Sequence, residues 1–592
     1  MPAYKAPVAD TLFLLTDVFD LNRYANLPRF AEAPIDTLEA VLSEAGKFAA
    51  QVLQPLNAVG DREGCTRSED GSVTTPTGFK EAYKAFVEGG WVGISGAHEF
   101  GGHGLPHFVG VVASEYTISA NQAFAMYPGL TNGASAALAV HANDEIKQTY
   151  LTKLTTGEWT GTMNLTEAHC GTDLGMIKTR ATRNADGSFS ITGSKIFISS
   201  GEHDLADNIV HLVLARIEGA PAGTKGISLF VCPKFLPDTG ARNPVSCGAI
   251  EEKMGIHGNS TCVMNYDGAK AWLVGEENRG LNAMFVMMNG ARLGVAVQGL
   301  AQSEVAYQNA AAYAKERLQG RALTGPKSPE LPADSILVHP DVRRMLLEIR
   351  SFNEAARALM VSVALSADEA LDSPDEKTRA AADDRIGLLT PVLKGVFTDT
   401  GFANAVKAQQ VLGGHGYIAQ TGMEQFVRDA RIAMIYEGAN GIQALDLVGR
   451  KLPKDGGRAV SAFFAEVSGF LSENKEDAAL AAYLAPVKTV LGQLQQATMW
   501  LMANGMKNPD NAGAASTDYM HLFGLAALSY MWARIVKAVL KRQAEGTSNE
   551  ALDAKLWLAR FFNARVLPEA AAHLARISSG AEPLMGLSAE AF

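Results

Sequence analysis

The spacing of apolar residues changes twice along this chain, and these changes constrain its fold more than any other feature. Up to about residue 160, apolar residues recur at the 3.6-residue spacing of amphipathic helices, as in 36–57. From 161 to 280, apolar and β-branched residues alternate or form short runs, as in FSITGSKIFISSG (189–201), which is typical of strands. From 281 the helical spacing returns. The pattern predicts an α+β protein in which helical domains flank a central antiparallel β domain.

The length of the chain predicts several domains. A chain of 592 residues is too long for one hydrophobic core, so two to four domains are expected. A turn-rich segment, KLPKDGG (451–457), ends the second helical region, and three or four further amphipathic helices are predicted after it. We therefore predict an N-terminal helical domain (1–160), a central β domain (161–280), a C-terminal four-helix-bundle domain (281–455) and an additional helical domain (456–592).

The composition excludes several classes of protein. A net charge of −11 and a pI near 5.6 argue against general binding to nucleic acid or to a membrane surface. The sequence shows no run of about 18 apolar residues and no signal peptide with a basic start and an apolar core. Its five cysteines form no CxxC pair and show no metal-ligand spacing. These features indicate reduced thiols in a cytoplasmic protein, with no bound metal.

Two glycine-containing stretches in the second half carry the candidate chemistry. The run Gly413-Gly414-His415-Gly416 lets the backbone approach a flat, bulky group with no Cβ in the way. Further on, Tyr436-Glu437-Gly438 follows an apolar run that begins at Ile432. A carboxylate withdrawn from water is a better proton acceptor near neutral pH, so Glu437 is a candidate general base. Taken alone, a glutamate at this place is more often a surface residue at the end of a helix.

Two upstream segments support the catalytic interpretation of Glu437. GTMNLTEAHCGTDLGMIKTRA (161–181) and GSKIFISSG (193–201), taken with Glu437, resemble the acyl-CoA dehydrogenase family of flavoenzymes. The match covers about residues 35–450, and the opening and closing helices resemble the larger members, among them the 3-methylmercaptopropionyl-CoA dehydrogenases. The resemblance implies FAD as the cofactor, with contacts from Leu165, Thr166, Gly171, Thr172, Phe197 and Ser199.

The resemblance also implies roles for residues of the second helical region. Glu437 matches the catalytic base of the family. Contacts to the FAD of a neighbouring subunit, and hence a homodimer or a dimer of dimers, are implied for Arg317, Gln410, Gly413 and Gly414. Contacts to the acyl-CoA are implied for Thr172, Arg292, Tyr436 and Gly438. The usual Glu-Gly-Thr pattern continues here as Ala439 and Asn440, which are expected beside the cofactor, and whether Asn440 replaces the absent hydroxyl stays open.

The implied activity is the α,β-dehydrogenation of an acyl-CoA thioester to a trans-2-enoyl-CoA. Glu437 would take the α proton, and electron-transferring flavoprotein would accept the electrons. The resemblance leaves open whether the acyl chain is short, of medium length or sulfur-containing, such as 3-methylmercaptopropionyl. It therefore also leaves open whether the protein acts in fatty-acid β-oxidation or in dimethylsulfoniopropionate catabolism.

Three alternatives stay in view. An acyl-CoA oxidase would use the same site with O2 as acceptor. A DNA-associated flavoprotein of similar length would need a basic C-terminal surface, and the charges after residue 456 roughly balance. A catalytically inactive flavin-binding scaffold is disfavoured because the candidate base Glu437 is present.

Overall fold

The computed structural model describes residues 2–592, which form two compact units. One unit comprises residues 44–294, and the other joins the N-terminal residues up to Ser43 to residues 295–592. The predicted order of helices, strands and helices is confirmed. The first helices are α1 (Val8–Phe13), α2 (Pro28–Ala31), α3 (Ile35–Phe48), α4 (Gln54–Glu63), α5 (Phe79–Glu88), α6 (His107–Ala120), α7 (Gln122–His141) and α8 (Asp144–Thr156).

One helix boundary in this region differs from the sequence-based expectation. The pattern in 36–57 predicts a single helix that ends near Pro55. Pro55 instead lies in the first turn of α4, which continues to Glu63. A π-helical turn (Ala49–Leu53) directly precedes α4, with Gln54 N–H donating to the carbonyl oxygen of Ala49, so the chain stays helical past Pro55.

The strands all lie in the unit of residues 44–294 and form one large sheet and a small hairpin. They are β1 (Thr66–Arg67), β2 (Val73–Thr74), β3 (Trp159–Asn164), β4 (Arg180–Arg183), β5 (Phe189–Ser199), β6 (Asn208–Ile217), β7 (Ser228–Pro233), β8 (Val245–Ile250) and β9 (Thr261–Val274). The large sheet has the order β3-β6-β4-β5-β9-β7, and β8 pairs with β9. Because β7 also pairs with β6, five of these strands close into a ring.

The sheet is largely antiparallel, as predicted, with two exceptions. Strand β6 runs parallel to β3 and to β4. Alternating residues place one face of a strand toward the core but do not determine its direction, which depends on the chain connections. The sequence pair Asp267-Gly268 is typical of a turn between two strands. It lies instead inside the continuous strand β9, where the pairing register shifts and Gly268 has a φ of +74°.

Two hydrophobic cores lie on the sheet. One includes Leu138 of α7 and Leu154 of α8, which pack with Leu212 and Leu229 of the sheet. Helix α7 approaches β3 closely at Gly161, because a Cβ built there would lie 2.5 Å from the Cβ of Ala134. The other core is formed within the ring of strands and includes the edge-to-face pair of Phe189 and Phe230.

Long helices dominate the rest of the chain. The bundle region contains α9 (Gly280–Glu316), α10 (Pro340–Asp372), α11 (Glu376–Val411), α12 (Gly414–Tyr417), α13 (Met423–Arg431) and α14 (Asn440–Asp446). The last region contains α15 (Arg458–Glu473), α16 (Ala481–Gly505), α17 (Pro509–Ala544), α18 (Glu550–Phe561), α19 (Glu569–Ser578) and the short α20 (Glu582–Met585), which is more than the predicted three or four helices. Helix α17 is long and apolar enough to cross a membrane, but 89% of its apolar window is buried within the molecule, as in a core helix.

A buried network of charged side chains joins α1, α9, α10 and α18. Arg357, only 1% exposed, donates hydrogen bonds to Asp10 Oδ2 at 2.7 Å and to Glu304 Oε2 at 3.1 Å. Lys555 binds Asp10 and also Glu354 Oε2, the latter at 2.8 Å. Burial alone would raise the pKa of Asp10, but the charges of Lys555 and Arg357 lower it to about 2. Each charge therefore has a partner of opposite sign, without which its burial would be costly.

Helices α9 and α11 cross at two glycines. A Cβ on Gly299 would lie 2.3 Å from the carbonyl oxygen of Phe397, and a Cβ on Gly401 would lie 2.2 Å from the carbonyl oxygen of Gly299. Such distances leave no room for a side chain, so the two backbones are in direct contact at this point.

Replacing Gly401 by Ala is expected to lower the free energy of unfolding by about 1–3 kcal/mol, because the added methyl group forces the two helices apart. Gly387→Ala is the matched control on α11: no atom lies within 4 Å of a Cβ built there. This control is expected to be neutral or to stabilise the protein by up to about 1 kcal/mol through helix propensity. Chemical denaturation measures both changes, and a Gly401→Ala protein as stable as the control would contradict the close crossing.

Candidate active site

The predicted cofactor residues of the β domain come from the end of β3 and from β5. Leu165 and Thr166 directly follow β3, and the N–H of Ile196 in β5 donates to the carbonyl oxygen of Thr166 at 2.9 Å. The segment after β3 therefore runs beside β5. Phe197 and Ser199, which follow Ile196 on β5, are thus brought close to Leu165 and Thr166.

A β-bulge presents Phe197 at the surface of the sheet. The register between β5 and β9 shifts between Lys195 and Ile198, so the strand carries an extra residue there. Phe197 has a φ of +58°, which is rare for a bulky residue, and its side chain is 59% exposed. An aromatic face held at the surface, with the half-buried Ser199 two residues away, suits the stacking of a flat ring.

A buried ion pair that the sequence analysis missed supports this surface. Lys195 is fully buried, and its Nζ donates to the carbonyl oxygen of Leu165 and to Glu167 Oε1, both at 2.9 Å. Glu167 also accepts hydrogen bonds from the backbone N–H groups of Lys178 and Thr179. Burial alone would raise the pKa of Glu167, but Lys195 and these hydrogen bonds lower it to about 2. A lone lysine inside an apolar strand was the available signal, because a buried charge needs a partner.

The other predicted residues of this unit differ in exposure. Gly171 and Thr172 lie on an exposed loop, and a Cβ on Gly171 would lie 3.3 Å from the Cγ2 of Thr166. This loop therefore passes next to Thr166. Arg292 is buried in α9 and is only 6% exposed.

Glu437 lies in a tight left-handed turn between α13 and α14. Glu437 has a φ of +57° and Gly438 a φ of +86°. A side chain other than glycine in this region costs about 1–3 kcal/mol, so the surrounding contacts must impose the conformation. The Glu437 side chain is half-buried, and the preceding Ile435 is 50% exposed. The apolar run before Glu437 is therefore only partly in the core.

Two side chains hold the carbonyl groups of this turn. Gln443 Nε2 donates to the carbonyl oxygens of Glu437 at 3.0 Å and of Gly438 at 3.1 Å. Lys394 of α11, which is fully buried, donates from Nζ to the carbonyl oxygen of Gly438 at 2.9 Å and to Asn440 Oδ1 at 2.8 Å. The turn is thus fixed by α14 on one side and by α11 on the other.

The residues around Glu437 point in different directions. The hydroxyl group of Tyr436 donates to Gln298 Oε1 of α9. Ala439 is exposed and precedes α14 without a side-chain cap. Asn440, in contrast, is buried, and its side-chain amide donates to Thr398 Oγ1 at 2.9 Å. The side chain of Asn440 therefore binds α11, whereas the sequence analysis left open that it replaces an absent threonine hydroxyl beside the cofactor.

The residues predicted to reach a neighbouring subunit share an exposed region of the bundle. Arg317 follows the last turn of α9 and is exposed. Gln410 in the last turn of α11 is also exposed, as are Gly413 and Gly414 just after this helix. The hydroxyl group of Tyr313, one turn before Arg317, lies 3.3 Å from His415 Nδ1, which joins the end of α9 to the glycine turn. Arg317 and the glycine turn therefore lie near one another on the surface.

Family models match almost the whole chain. The models for the N-terminal domain, the middle domain and the C-terminal domain of acyl-CoA dehydrogenases match residues 36–158, 162–269 and 278–452. A fourth model, acetyl-CoA dehydrogenase C-terminal like, matches residues 463–588. The chain belongs to the acyl-CoA dehydrogenase family. It is an oxidoreductase, and its cofactor is FAD.

Relatives of this acyl-CoA dehydrogenase that match it over nearly their whole length are found in bacteria. It is 41% identical over 590 residues to the 3-methylmercaptopropionyl-CoA dehydrogenase of Ruegeria pomeroyi, covering 99% of this chain and 100% of that protein. It is 33% identical to the broad-specificity linear acyl-CoA dehydrogenase FadE5 of Mycobacterium tuberculosis, covering 96% of each chain. The fold is that of an acyl-CoA dehydrogenase from Bacillus anthracis crystallised with FAD, with a TM-score of 0.75, 22% identity and coverage of 95% of this chain and 91% of that chain.

The residues of the β domain fit a flavin. The exposed ring of Phe197 offers a stacking surface for a flat aromatic system. The bulge and the Glu167–Lys195 pair hold this surface in place without using the Phe197 side chain. In the helical bundle, the exposed turn at Gly413 and Gly414 is also open, with no atom within 4 Å of a Cβ built at either residue. These features agree with an FAD-binding acyl-CoA dehydrogenase.

Replacing Glu167 by Gln is expected to lower the free energy of unfolding by about 3 kcal/mol at pH 7, because the buried ammonium group of Lys195 loses its counter-charge. The folded-state pKa of Glu167, about 2, lies below its ordinary value of 4.5. The stabilising effect of the ionised Glu167 is therefore fully present above pH 4.5 and is lost as the pH falls from 4.5 toward 2. The free energies of unfolding of the variant and the wild type should approach each other over that range.

Denaturation between pH 7 and pH 3 measures this difference, provided that both proteins stay folded without denaturant. Glu158→Gln is the control, because Glu158 forms an exposed pair with Lys153 at 2.5 Å. The loss of that pair is expected to change the stability by less than about 1 kcal/mol. A constant difference between Glu167→Gln and the wild type across this pH range would contradict the assignment.

Proposed function

We propose that this acyl-CoA dehydrogenase oxidises 3-methylmercaptopropionyl-CoA to the corresponding trans-2-enoyl thioester. The observation that supports this choice of substrate is the 41% identity to a 3-methylmercaptopropionyl-CoA dehydrogenase over 99% of this chain and 100% of that protein. The similarity extends through the last helical region, which the family models for the first three domains do not cover. The second candidate is a broad range of linear acyl-CoA thioesters, supported by the 33% identity to FadE5.

Glu437 is the proposed catalytic base. Its carboxylate removes the α proton of the thioester, and its backbone N–H donates to the thioester carbonyl oxygen as negative charge develops there. FAD, when bound, supplies the acceptor for the hydride that leaves the β carbon. The support from the structure is the turn itself: Gln443 donates to the backbone carbonyl groups of Glu437 and Gly438, and Lys394 donates to that of Gly438, so the backbone that carries the Glu437 side chain is held in place.

The proposed cofactor and substrate contacts are those predicted from the sequence. Phe197 and Ser199 are proposed to lie against the flavin ring, with Leu165 and Thr166 at its edge and the loop of Gly171 and Thr172 near phosphate groups. The flavin contacts are supported by the hydrogen bond between Ile196 and Thr166, which brings the segment after β3 next to β5. Contacts to the acyl-CoA are proposed for Thr172, Arg292, Tyr436 and Gly438.

The enzyme is proposed to act as a homodimer or as a dimer of dimers. Arg317, Gln410, Gly413 and Gly414 would then reach the FAD of the neighbouring subunit, and Ala439 would face the cofactor of its own. Their exposure and the contact between Tyr313 and His415 support a shared binding surface. A guanidinium group suits a diphosphate because it offers several donors in one plane. Electron-transferring flavoprotein is the proposed electron acceptor, and a cytoplasmic location is proposed from the free cysteines found among residues 2–592.

Replacing Glu437 by Gln is expected to lower kcat by about 10²–10⁴, because the amide keeps the shape of the side chain but cannot accept a proton. FAD absorption and acyl-CoA binding should hardly change, since the proposed flavin contacts come from other residues. Glu424→Gln is the control, because Glu424 pairs with Arg428 within α13 and is not part of the turn. The kcat of this variant should stay within about twofold of the wild-type value. A Glu437→Gln enzyme with more than about a tenth of wild-type activity would show that the base lies elsewhere.

A panel of acyl-CoA thioesters tests which acyl-CoA the enzyme prefers as its substrate. Purified enzyme is assayed with 3-methylmercaptopropionyl-CoA, butyryl-CoA and octanoyl-CoA and an artificial dye as electron acceptor. The highest kcat/KM is expected for 3-methylmercaptopropionyl-CoA. Equal values across the panel would favour the broad-specificity candidate, and hydrogen peroxide formed at the rate of turnover with O2 alone would instead show an oxidase.

A further inference from the structure

The left-handed turn at Glu437 is connected to the last helical region by a chain of hydrogen bonds. The first link is Lys394, whose buried ammonium group donates to the carbonyl oxygen of Gly438 at 2.9 Å and to Asn440 Oδ1 at 2.8 Å. An ammonium group only donates, so the oxygen of the Asn440 amide must face Lys394. The amide nitrogen of Asn440 must then point the other way.

The second link is Asp399, one turn further along α11. Asn440 Nδ2 donates to Asp399 Oδ1 at 2.6 Å. An ionised carboxylate only accepts, which fixes the same orientation of the Asn440 amide from the opposite side. Asp399 and the fully buried Lys394 are thus joined through the two ends of the Asn440 amide.

The third link is His521, which belongs to α17 in the last helical region. His521 Nε2 lies 3.0 Å from Asp399 Oδ2, and since the carboxylate accepts, His521 carries a proton on Nε2. The ring of His521 stacks on His573 of α19, with ring centroids 5.6 Å apart and an angle of 11° between the planes. His573 Nδ1 in turn lies 2.7 Å from Asp518 Oδ1 of α17. The orientation of His521 is therefore set by two helices of this region.

We propose that His521 is a positioning residue for Glu437, acting through Asp399, Asn440 and Lys394 on the carbonyl group of Gly438. The proposal rests on the proposed role of Glu437 as the base, and it gives the region after residue 456 a part in catalysis. Without His521, Asp399 loses the partner on its second oxygen and can turn away from Asn440. The Asn440 amide nitrogen then keeps only two neutral acceptors, Thr398 Oγ1 at 2.9 Å and the carbonyl oxygen of Gly395 at 3.2 Å, so Asn440 and Lys394 hold the turn less firmly.

The size of the effect follows from the demands of proton transfer. A misplacement of the base by about 1 Å costs up to about 10²-fold in rate. The proposed flavin contacts of the β domain come from other residues, so FAD binding is not expected to change. A cavity of about 140 Å³ adjoins His521, whose side chain is 23% exposed, so replacement of the ring does not require the core to be repacked.

The test compares His521→Leu with His521→Gln in the full-length, FAD-loaded enzyme. His521→Leu removes the donor, and kcat is expected to fall about 10–100-fold while KM and the flavin spectrum stay unchanged. His521→Gln places an amide donor near the position of Nε2 and is expected to recover most of kcat. Tyr519→Phe is the control on the same helix: it removes a buried hydrogen bond to Thr498 at 2.8 Å and lowers the melting temperature, but it should leave kcat unchanged.

Three results would overturn the proposal: a kcat of His521→Leu within twofold of the wild type, no recovery in His521→Gln, or an equal loss in Tyr519→Phe. Crystal structures of the wild type and of His521→Leu provide a test that does not depend on turnover. A shifted Asn440 amide and a displaced Glu437 backbone in the variant support the proposal, and an unchanged turn overturns it. A wild-type enzyme inactive toward every acyl-CoA would instead refute the proposed function, and the comparison of the two structures would still decide the role of His521.

Discussion

A single buried ammonium group holds the backbone on which the proposed chemistry depends. Lys394 is fully buried and binds the carbonyl oxygen of Gly438, directly after Glu437. The left-handed conformation of Glu437 is intrinsically unfavourable, so it persists only because contacts such as this one impose it. The same principle applies at Phe197, where a bulge forces an aromatic residue into positive φ and exposes its ring. Backbone strain at both places positions a side chain to which we assign a proposed role, where regular structure would not place it.

Charged groups buried with their partners also explain how distant parts of the chain form one unit. Asp10 of α1 and Lys555 of α18 lie 545 residues apart and meet beside Arg357 of α10. Removing any one of them would leave a buried charge uncompensated, which costs several kcal/mol. The last helical region is therefore bound to the bundle through specific polar contacts in addition to the apolar surface of α17. These contacts make it a structural part of the unit that carries Glu437.

The local features of the fold and site follow from the sequence, and the long-range ones do not. Helical and strand periodicity predicts α9, α10 and β5, and the glycine beside Glu437 marks the turn. The parallel pairing of β6 depends on chain connections that periodicity does not encode. Lys195 and Lys394 each stand alone in an apolar segment, which signals a buried partner, but the partners lie 28 and 46 residues away. Pairing of that kind is visible only in three dimensions.

The central claim is that the Glu437 carboxylate removes the α proton of an acyl-CoA thioester. A crystal structure of the enzyme with FAD and an unreactive thioether analogue of the acyl-CoA tests it most directly. The account predicts the Glu437 carboxylate about 3–3.5 Å from the α carbon, with the Glu437 N–H facing the analogue's carbonyl position and the flavin on the opposite side of the acyl chain. Another carboxylate at the α carbon, or Glu437 turned away from the ligand, would contradict the account.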